Sequence, residues 1–276
     1  MTYGLLVADI DGTLVGEDKA VPPGVVAAVR AARSQGVRVC LATGRMWDAA
    51  RPFVEAIESD PPAILYNGAL VYDFAADRVL WAHRLPLEVA ARLLPVLRQF
   101  PQTSPLVYVH GRVYAERQTS FVDVYARRDR LTVEIASPFE RVMDEDPVKL
   151  LVVGGHADLL ALRRAIDASA GPAVSQVFSQ SDYLEVLPPG VSKGAALPVL
   201  ARAVGVPLSR TVAVGDNHND LTMLRAAGLG IAVDGAPSEV LAAAKATCPP
   251  PEQGGVRVVI ERYFLDTGRA CAGETT

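Results

Sequence analysis

Residues 7–13 read VADIDGT, an apolar run that ends in two aspartates one residue apart. In an extended chain residues i and i+2 point the same way, so Asp9 and Asp11 can face one point at the end of a strand. Gly12 permits a sharp turn there, and the Thr13 hydroxyl can satisfy backbone groups within it. Two carboxylates so close repel each other and raise one pKa unless a cation lies between them. A hard divalent ion such as Mg²⁺, which prefers oxygen ligands, removes the conflict. Taken alone, the same pair reads equally well as two turn-capping side chains.

Three further stretches carry comparable chemistry. LATGR at 41–45 closes another apolar run and opens a helical segment, with Thr43 offering a hydroxyl and Gly44 a close backbone approach. Free N–H groups at a helix start favour an anion, although Thr43 also reads as a plain N-cap. Lys193, in PPGVSKGAAL, precedes a helix; by itself it is a solvated charge, but beside an aspartate and a phosphate it fits phosphoryl chemistry. In TVAVGDNHNDLTML at 211–224 a strand delivers Asp216, a candidate metal ligand, and the next helix begins near Asn219 and Asp220. The Asn219 amide can donate to a phosphate oxygen, and either Asn219 or Asp220 can instead cap the helix. His218 reads as an exposed turn residue. Capping explains any one of these stretches but does not predict all four together.

The elements that must hold these residues follow from periodicity. Near the start, apolar strands GLLVADI and VRVCLAT alternate with helical segments PGVVAAVRAARSQG and RMWDAARPFVEAIES, where Pro52 must kink the helix or sit in its first turn. AILYNGALVYD reads as two short strands around an Asn-Gly turn. The strand–helix rhythm returns after residue 190: helical GAALPVLARAVG, strand RTVAVGD, helical DLTMLRAAG, strand LGIAV, helical PSEVLAAAKA and a last helical segment near GGVRVVIERYF. Nearly continuous apolar strands alternating with helices indicate a parallel sheet covered on both faces. The middle differs: helix LEVAARLLPVLRQF, a hairpin turning at His110–Gly111, strand PVKLLVVGG, helix ADLLALRRAIDAS and two strands around AVSQVFSQSDYLEVL form an α+β unit. The expected organisation is an α/β core at 1–82 and 190–276 with an inserted domain at 83–189.

Composition sets outer bounds. Half of the 276 residues are hydrophobic, about a fifth are charged, and the formal net charge is −4, a balance that argues against nonspecific nucleic-acid binding, which needs a broad basic surface. Cys40, Cys248 and Cys271 lie far apart, which argues against a zinc site or a disulfide framework. No apolar stretch approaches the ~20 residues that cross a bilayer. The N-terminus lacks the basic start of a signal peptide. The expectation is a cytoplasmic protein without nucleic-acid or membrane partners, as a monomer or small homo-oligomer.

DIDGTL at 9–14, LATGR, GVSKGAAL and GDNHNDLTML resemble, in that order, the four motifs of the haloacid dehalogenase (HAD) superfamily of phosphotransferases. LYNGALVYD at 65–73 and YLEVLPPGVSKG are similar to its Cof-type phosphatases. The resemblance implies a Rossmann-like parallel-sheet core with a large inserted α/β cap of type IIB. It implies Asp9 as the nucleophile that becomes an aspartyl-phosphate, and Asp11 as acid for the leaving alcohol and then base for water. Mg²⁺ would be held by the Asp9 carboxylate, the Asp11 backbone carbonyl and Asp216. Ile10 (through its N–H), Thr43, Gly44, Lys193 and Asn219 would hold the phosphoryl group, with Asp220 in the outer shell orienting Lys193 or a metal-bound water. The implied activity is Mg²⁺-dependent hydrolysis of small phosphorylated metabolites, sugar phosphates or nucleotides. A phosphomutase and a silent phosphometabolite-binding module are the alternatives. Cap residues His110, Arg112, Asp182 and Tyr183 are candidates for substrate selection.

Overall fold

Leu5–Ala8 is a run of four apolar residues, all buried, and it lies between two parallel neighbours, Thr211–Gly215 and Arg38–Leu41. With Leu229–Val233 and Ala246–Cys248 outside Thr211–Gly215, these make a five-stranded, all-parallel sheet. Such a sheet is covered by helices, which explains why its strands are apolar at almost every position rather than at alternate ones. The computed structural model describes residues 3–265; Cys271 lies outside the described residues.

The register decides where chemistry can collect. Ala8 pairs with Val214 on one side and Leu41 on the other, and the Asp9 N–H still donates to the Val214 carbonyl at 3.0 Å. The residues that follow these three strands therefore emerge together at the carboxyl edge, where open α/β sheets bind their ligands.

Helix Val25–Ser34 buries Val25, Ala28, Val29 and Ala32, the i, i+3, i+4, i+7 stripe of an amphipathic helix. Helix Lys193–Ala203 buries Ala196, Leu197, Leu200 and Ala201, which share a core with Leu5, Val7, Cys40, Ala213 and Met223. Full burial of a side chain such as Leu197 contributes roughly 1.5–3 kcal/mol. The two strands expected around the Asn-Gly turn are present as Ala63–Leu65 and Leu70–Asp73, antiparallel.

Two local readings are corrected and a third is narrowed. A third strand, Arg78–Ala82, extends the Ala63–Leu65/Leu70–Asp73 sheet; its charged and half-exposed flanks hid it from a reading based on apolar runs. The helix expected across PSEVLAAAKA stops at Ala243, because the Lys245 N–H donates to Gly230 and Ala246–Cys248 joins the sheet edge. Of the two expected places for Pro52, the structure has the interior one: it is the sixth residue of helix Trp47–Ala56.

The described residues divide into two compact units, one of 3–43, 50–81 and 192–265, the other of 44–49 and 82–191. The second has its own six-stranded sheet, in the order Ser175–Gln180, Tyr183–Leu187, Lys149–Val153, Ser104–Val109, Arg112–Ala115, Val133–Ile135. Neighbours are antiparallel except the last pair. Val107, Val109, Leu150, Val152, Leu184 and Val186 pack in one core with helices Leu87–Arg98 and His156–Ala170. Tyr108 takes the alternate position in its strand, with its hydroxyl bonded to that of Tyr125 on helix Ser120–Asp129. That helix was not expected: it buries only Val122, Tyr125 and Asp129 in a mostly polar segment.

Candidate active site

The Leu5–Ala8 strand ends at Asp9, which is buried, and the chain then turns back on itself. The Ile10 carbonyl accepts the N–H groups of Leu14 and Val15, and the Gly12 N–H donates to Val15. Gly12 adopts φ +83°, and a Cβ there would lie 2.3 Å from Asp216 Oδ2. Only glycine provides both the left-handed backbone and the close approach of the neighbouring strand end. The turn presents the Thr13 hydroxyl to Asp216, donating to Oδ1 at 2.6 Å, rather than to its own backbone. The Ile10 side chain is fully buried.

Lys193 is the first residue of its helix, behind the N-cap Ser192, whose hydroxyl accepts from the Ala195 N–H. It is no solvated charge. Its side chain is wholly buried, and Nζ lies 2.8 Å from Asp9 Oδ1 and 2.7 Å from Asp220 Oδ1. The other Asp220 oxygen accepts the N–H groups of Asp216 and Asn217 at 3.0 and 3.1 Å. Both Asp220 oxygens are thus held by donors, which suits a residue that orients Lys193. Asp220 occupies the N-cap position of helix Leu221–Ala226 but makes no side-chain cap bond there, and Asn217 caps the short turn His218–Asp220 that precedes it.

Carboxylate oxygens of Asp9, Asp216 and Asp220 lie within 4.8 Å of one another. Three carboxylates against one ammonium leave two negative charges in a buried space. Burial, opposed by Lys193 and reinforced by Asp220 and Asp216, holds the Asp9 carboxyl well above its ordinary range. Burial and Asp220 likewise raise Asp216 to about 7, partly offset by the Thr13 hydroxyl. Lys193 is held above its ordinary value because its two carboxylate partners outweigh burial. The oxygen donors and the uncompensated charge fit a hard divalent cation.

The other expected residues fall as follows. The Asp11 carboxylate accepts from Lys19 Nζ at 2.6 Å. Thr43 is buried; its N–H donates to Ile64 and its carbonyl accepts from the Asn67 N–H. It is not an N-cap, since the helix starts at Trp47. Gly44, the next residue, belongs to the second unit, where its carbonyl accepts from Lys149 Nζ at 3.2 Å. Asn219 Nδ2 donates to Asn67 Oδ1 at 2.9 Å. His218 is exposed, 3.4 Å from Glu239. In the second unit, His110 and Arg112 pair with surface carboxylates, Asp144 and Glu134, and Asp182 pairs with Arg128, while Tyr183 is buried and donates to Asp129.

Sequence reasoning missed Thr13 as a partner of Asp216, Lys19 as a partner of Asp11, Asn67, and the buried pair Lys149–Glu185 at 2.6 Å. The last pair had a visible signal: one charge inside each of the apolar runs PVKLLVV and YLEVL. The contacts of Thr13 and Asn67 span 203 and 152 residues, and no local pattern announces them.

The carboxyl edge of a parallel sheet thus gathers a buried lysine among three aspartates, a set of groups able to hold a cation. Residues 6–260 match the profile of the haloacid dehalogenase-like hydrolases. The pyridoxal phosphate phosphatase of Escherichia coli is 31% identical over 254 residues, covering 88% of this chain and 92% of that protein. The 5-amino-6-(5-phospho-D-ribitylamino)uracil phosphatase of Bacillus subtilis is 26% identical, covering 94% of this chain and 97% of its own. A haloacid dehalogenase-like hydrolase from Bacteroides thetaiotaomicron has a similar structure, with TM-score 0.86 and 26% identity, over 95% of this chain and all of that one. The chain belongs to the haloacid dehalogenase-like hydrolase family, as its four motifs imply. Among the described residues no helix is long and apolar enough to cross a membrane.

Proposed function

We propose that this chain is a Mg²⁺-dependent phosphatase that hydrolyses small phosphorylated metabolites through an aspartyl-phosphate on Asp9. The observation that carries this reading is the buried Lys193 ammonium, 2.8 Å from Asp9 and 2.7 Å from Asp220, beside Asp216. Attack of a carboxylate on a phosphate monoester brings two anions together, and cationic groups aimed at the transferring oxygens are what lower that barrier. A divalent cation held by the Asp9 and Asp216 carboxylates and the Asp11 carbonyl supplies further charge neutralisation when bound.

An Asp9 oxygen forms a bond to phosphorus as the ester P–O bond breaks, and Asp11 gives its proton to the departing alkoxide. Asp11, now a carboxylate, takes a proton from water while the water oxygen bonds phosphorus and Asp9 departs. Phosphate is released and both aspartates are restored. Lys193 stays charged throughout and holds Asp9 in place; Asp220 holds Lys193. Thr43, Gly44, Asn219 and the Ile10 N–H are assigned to the phosphoryl oxygens. A halide leaves without a proton, so an acid in the position of Asp11 favours ester hydrolysis over dehalogenation.

The two relatives named above act on phosphate esters with dissimilar leaving groups, so a shared centre for the phosphoryl group with a separate selector for the rest supports this assignment. We give the selector role to the second unit, 44–49 and 82–191. The test is turnover of an aryl phosphate and of a panel of phosphorylated metabolites, pyridoxal phosphate among them. Activity that EDTA abolishes and Mg²⁺ restores supports the reading; turnover unaffected by EDTA, or none on any ester, contradicts it.

A further inference from the structure

The turn Tyr66–Gly68 has three consecutive residues with left-handed backbone, φ +51°, +55° and +101°, and all three are buried. Left-handed backbone at a bulky residue such as tyrosine is uncommon and is kept only where its surroundings demand it. Here the turn touches three of the four motif stretches. The Asn67 N–H donates to the Thr43 carbonyl at 3.0 Å. Gly68 lies against the backbone of Ser192, where a Cβ would come 2.2 Å from the carbonyl oxygen. Asn67 Oδ1 accepts from Asn219 Nδ2 at 2.9 Å.

That amide–amide bond satisfies one donor and one acceptor. Asn67 Nδ2 and Asn219 Oδ1 remain buried without a hydrogen-bond partner among the described residues. A buried amide left in this state is unfavourable unless a ligand completes it. An oxyanion is the acceptor that Asn67 Nδ2 requires, although it offers nothing to Asn219 Oδ1, itself an acceptor.

We propose that Asn67 is a positioning residue for the phosphoryl group: its side chain fixes the Asn219 amide, and its turn ties Asn219 to Thr43 and to the start of the Lys193 helix. The inference rests on the phosphatase reading for the ligand, but the Asn67–Asn219 contact is tested separately from it.

Asn67→Gly removes the amide and accepts φ +55° without strain. The inhibition constant of inorganic phosphate against an aryl phosphate is measured for the parent, Asn67→Gly, Asn219→Ala and the double variant. Each single change is expected to raise it by about tenfold, the scale of a hydrogen bond to a charged group, and the double variant to add no more than about threefold to Asn219→Ala. Losses that multiply in the double variant, or an unchanged constant in Asn67→Gly, overturn the proposal.

A second measurement needs no turnover. The Asn219 side-chain amide, identified in NMR spectra by its absence from Asn219→Ala, is expected to exchange slowly with solvent in the parent and much faster in Asn67→Gly. Equal exchange overturns the positioning role. If Asn67→Gly does not fold, a freely exchanging Asn219 amide in the parent overturns it alone. A parent that hydrolyses no phosphate ester contradicts the phosphatase reading and leaves the exchange measurement to decide the role of Asn67.

Discussion

Lys193 Nζ lies 2.8 Å from Asp9 Oδ1, and the lysine side chain has no solvent exposure at all. An ammonium so placed has exchanged its hydration for carboxylates, so removing it strands the charges around it. Lys193→Met is expected to lower kcat by about 10³-fold, the upper scale for one electrostatic group, and to destabilise the fold by roughly 3–5 kcal/mol. Lys193→Arg should not restore activity, because a planar guanidinium cannot occupy the place of a compact ammonium between two carboxylates. Steady-state kinetics and denaturant unfolding read both effects. A Lys193→Met protein with parental turnover would remove the lysine from the chemistry.

Asp220 is the second holder of that lysine. Asp220→Asn puts an amide N–H against either Lys193 Nζ or the N–H groups of Asp216 and Asn217, all of which are donors. A fall of about 10–100-fold in kcat/KM is expected, the usual cost of losing an outer-shell partner. Parental kinetics would show that Asp220 only shapes the turn.

Stability should depend on pH and on Mg²⁺ together. The Asp216 carboxyl, at about 7 in the fold against 3.8 for an ordinary aspartate, is raised by burial and by Asp220. A carboxyl raised on folding supports the fold below its unfolded pKa and loses that support as pH climbs through the folded value. In metal-free protein this contribution therefore declines between about pH 4 and pH 7. A cation binds the ionised form, so the rise in Tm on adding Mg²⁺ is expected to be larger at pH 8 than at pH 6. Thermal scans at the two pH values check this; equal shifts, or none, would contradict the cation site.

How far these relationships could be read from residue order depends on their range. The three strand ends were legible because buried parallel strands are uniformly apolar, which makes Asp9, Thr43 and Asp216 stand out where they finish. Lys193 was legible only by its company, since nothing in VSKGA distinguishes a buried ammonium from a solvated one. Thr13, inside DIDGTL, read as a turn residue, and Lys19, five residues beyond that motif, carried no signal of its own, yet they hold Asp216 and Asp11. Asn67 was seen as a hairpin-turn residue; its partner Asn219 lies 152 residues on. Arg78–Ala82 and Ser120–Asp129 were missed because half-exposed or polar elements carry little hydrophobic period.

The second unit offers a stability test. Lys149 and Glu185, both nearly fully buried, pair at 2.6 Å, with Lys149 Nζ also 4.6 Å from the Tyr108 ring centroid. Lys149→Met alone leaves a buried carboxylate uncompensated and is expected to destabilise by roughly 3–5 kcal/mol, whereas Lys149→Met with Glu185→Leu should recover most of that loss. Urea unfolding of the three variants checks it. A single variant as stable as the parent would mean the pair is solvated in solution.

The two cysteines among the described residues should be inert. Cys40 and Cys248 are buried; burial raises the Cys40 thiol and pushes Cys248 up to about 12. The thiolate is the reactive form, so neither is expected to react with iodoacetamide at neutral pH until the protein is unfolded. Peptide mapping after alkylation of native protein reads this, and rapid labelling of either residue would contradict their burial.

The account turns on Asp9 forming a bond to phosphorus. Acid-quenching the enzyme during turnover with Mg²⁺ and substrate, then mapping peptides by mass spectrometry, tests that bond directly. The expected result is a phosphoryl adduct on Asp9 that borohydride converts to homoserine, absent in an Asp9→Asn variant that folds normally and is inactive. An adduct on another residue, or Asp9→Asn turning over at the parental rate, would contradict it.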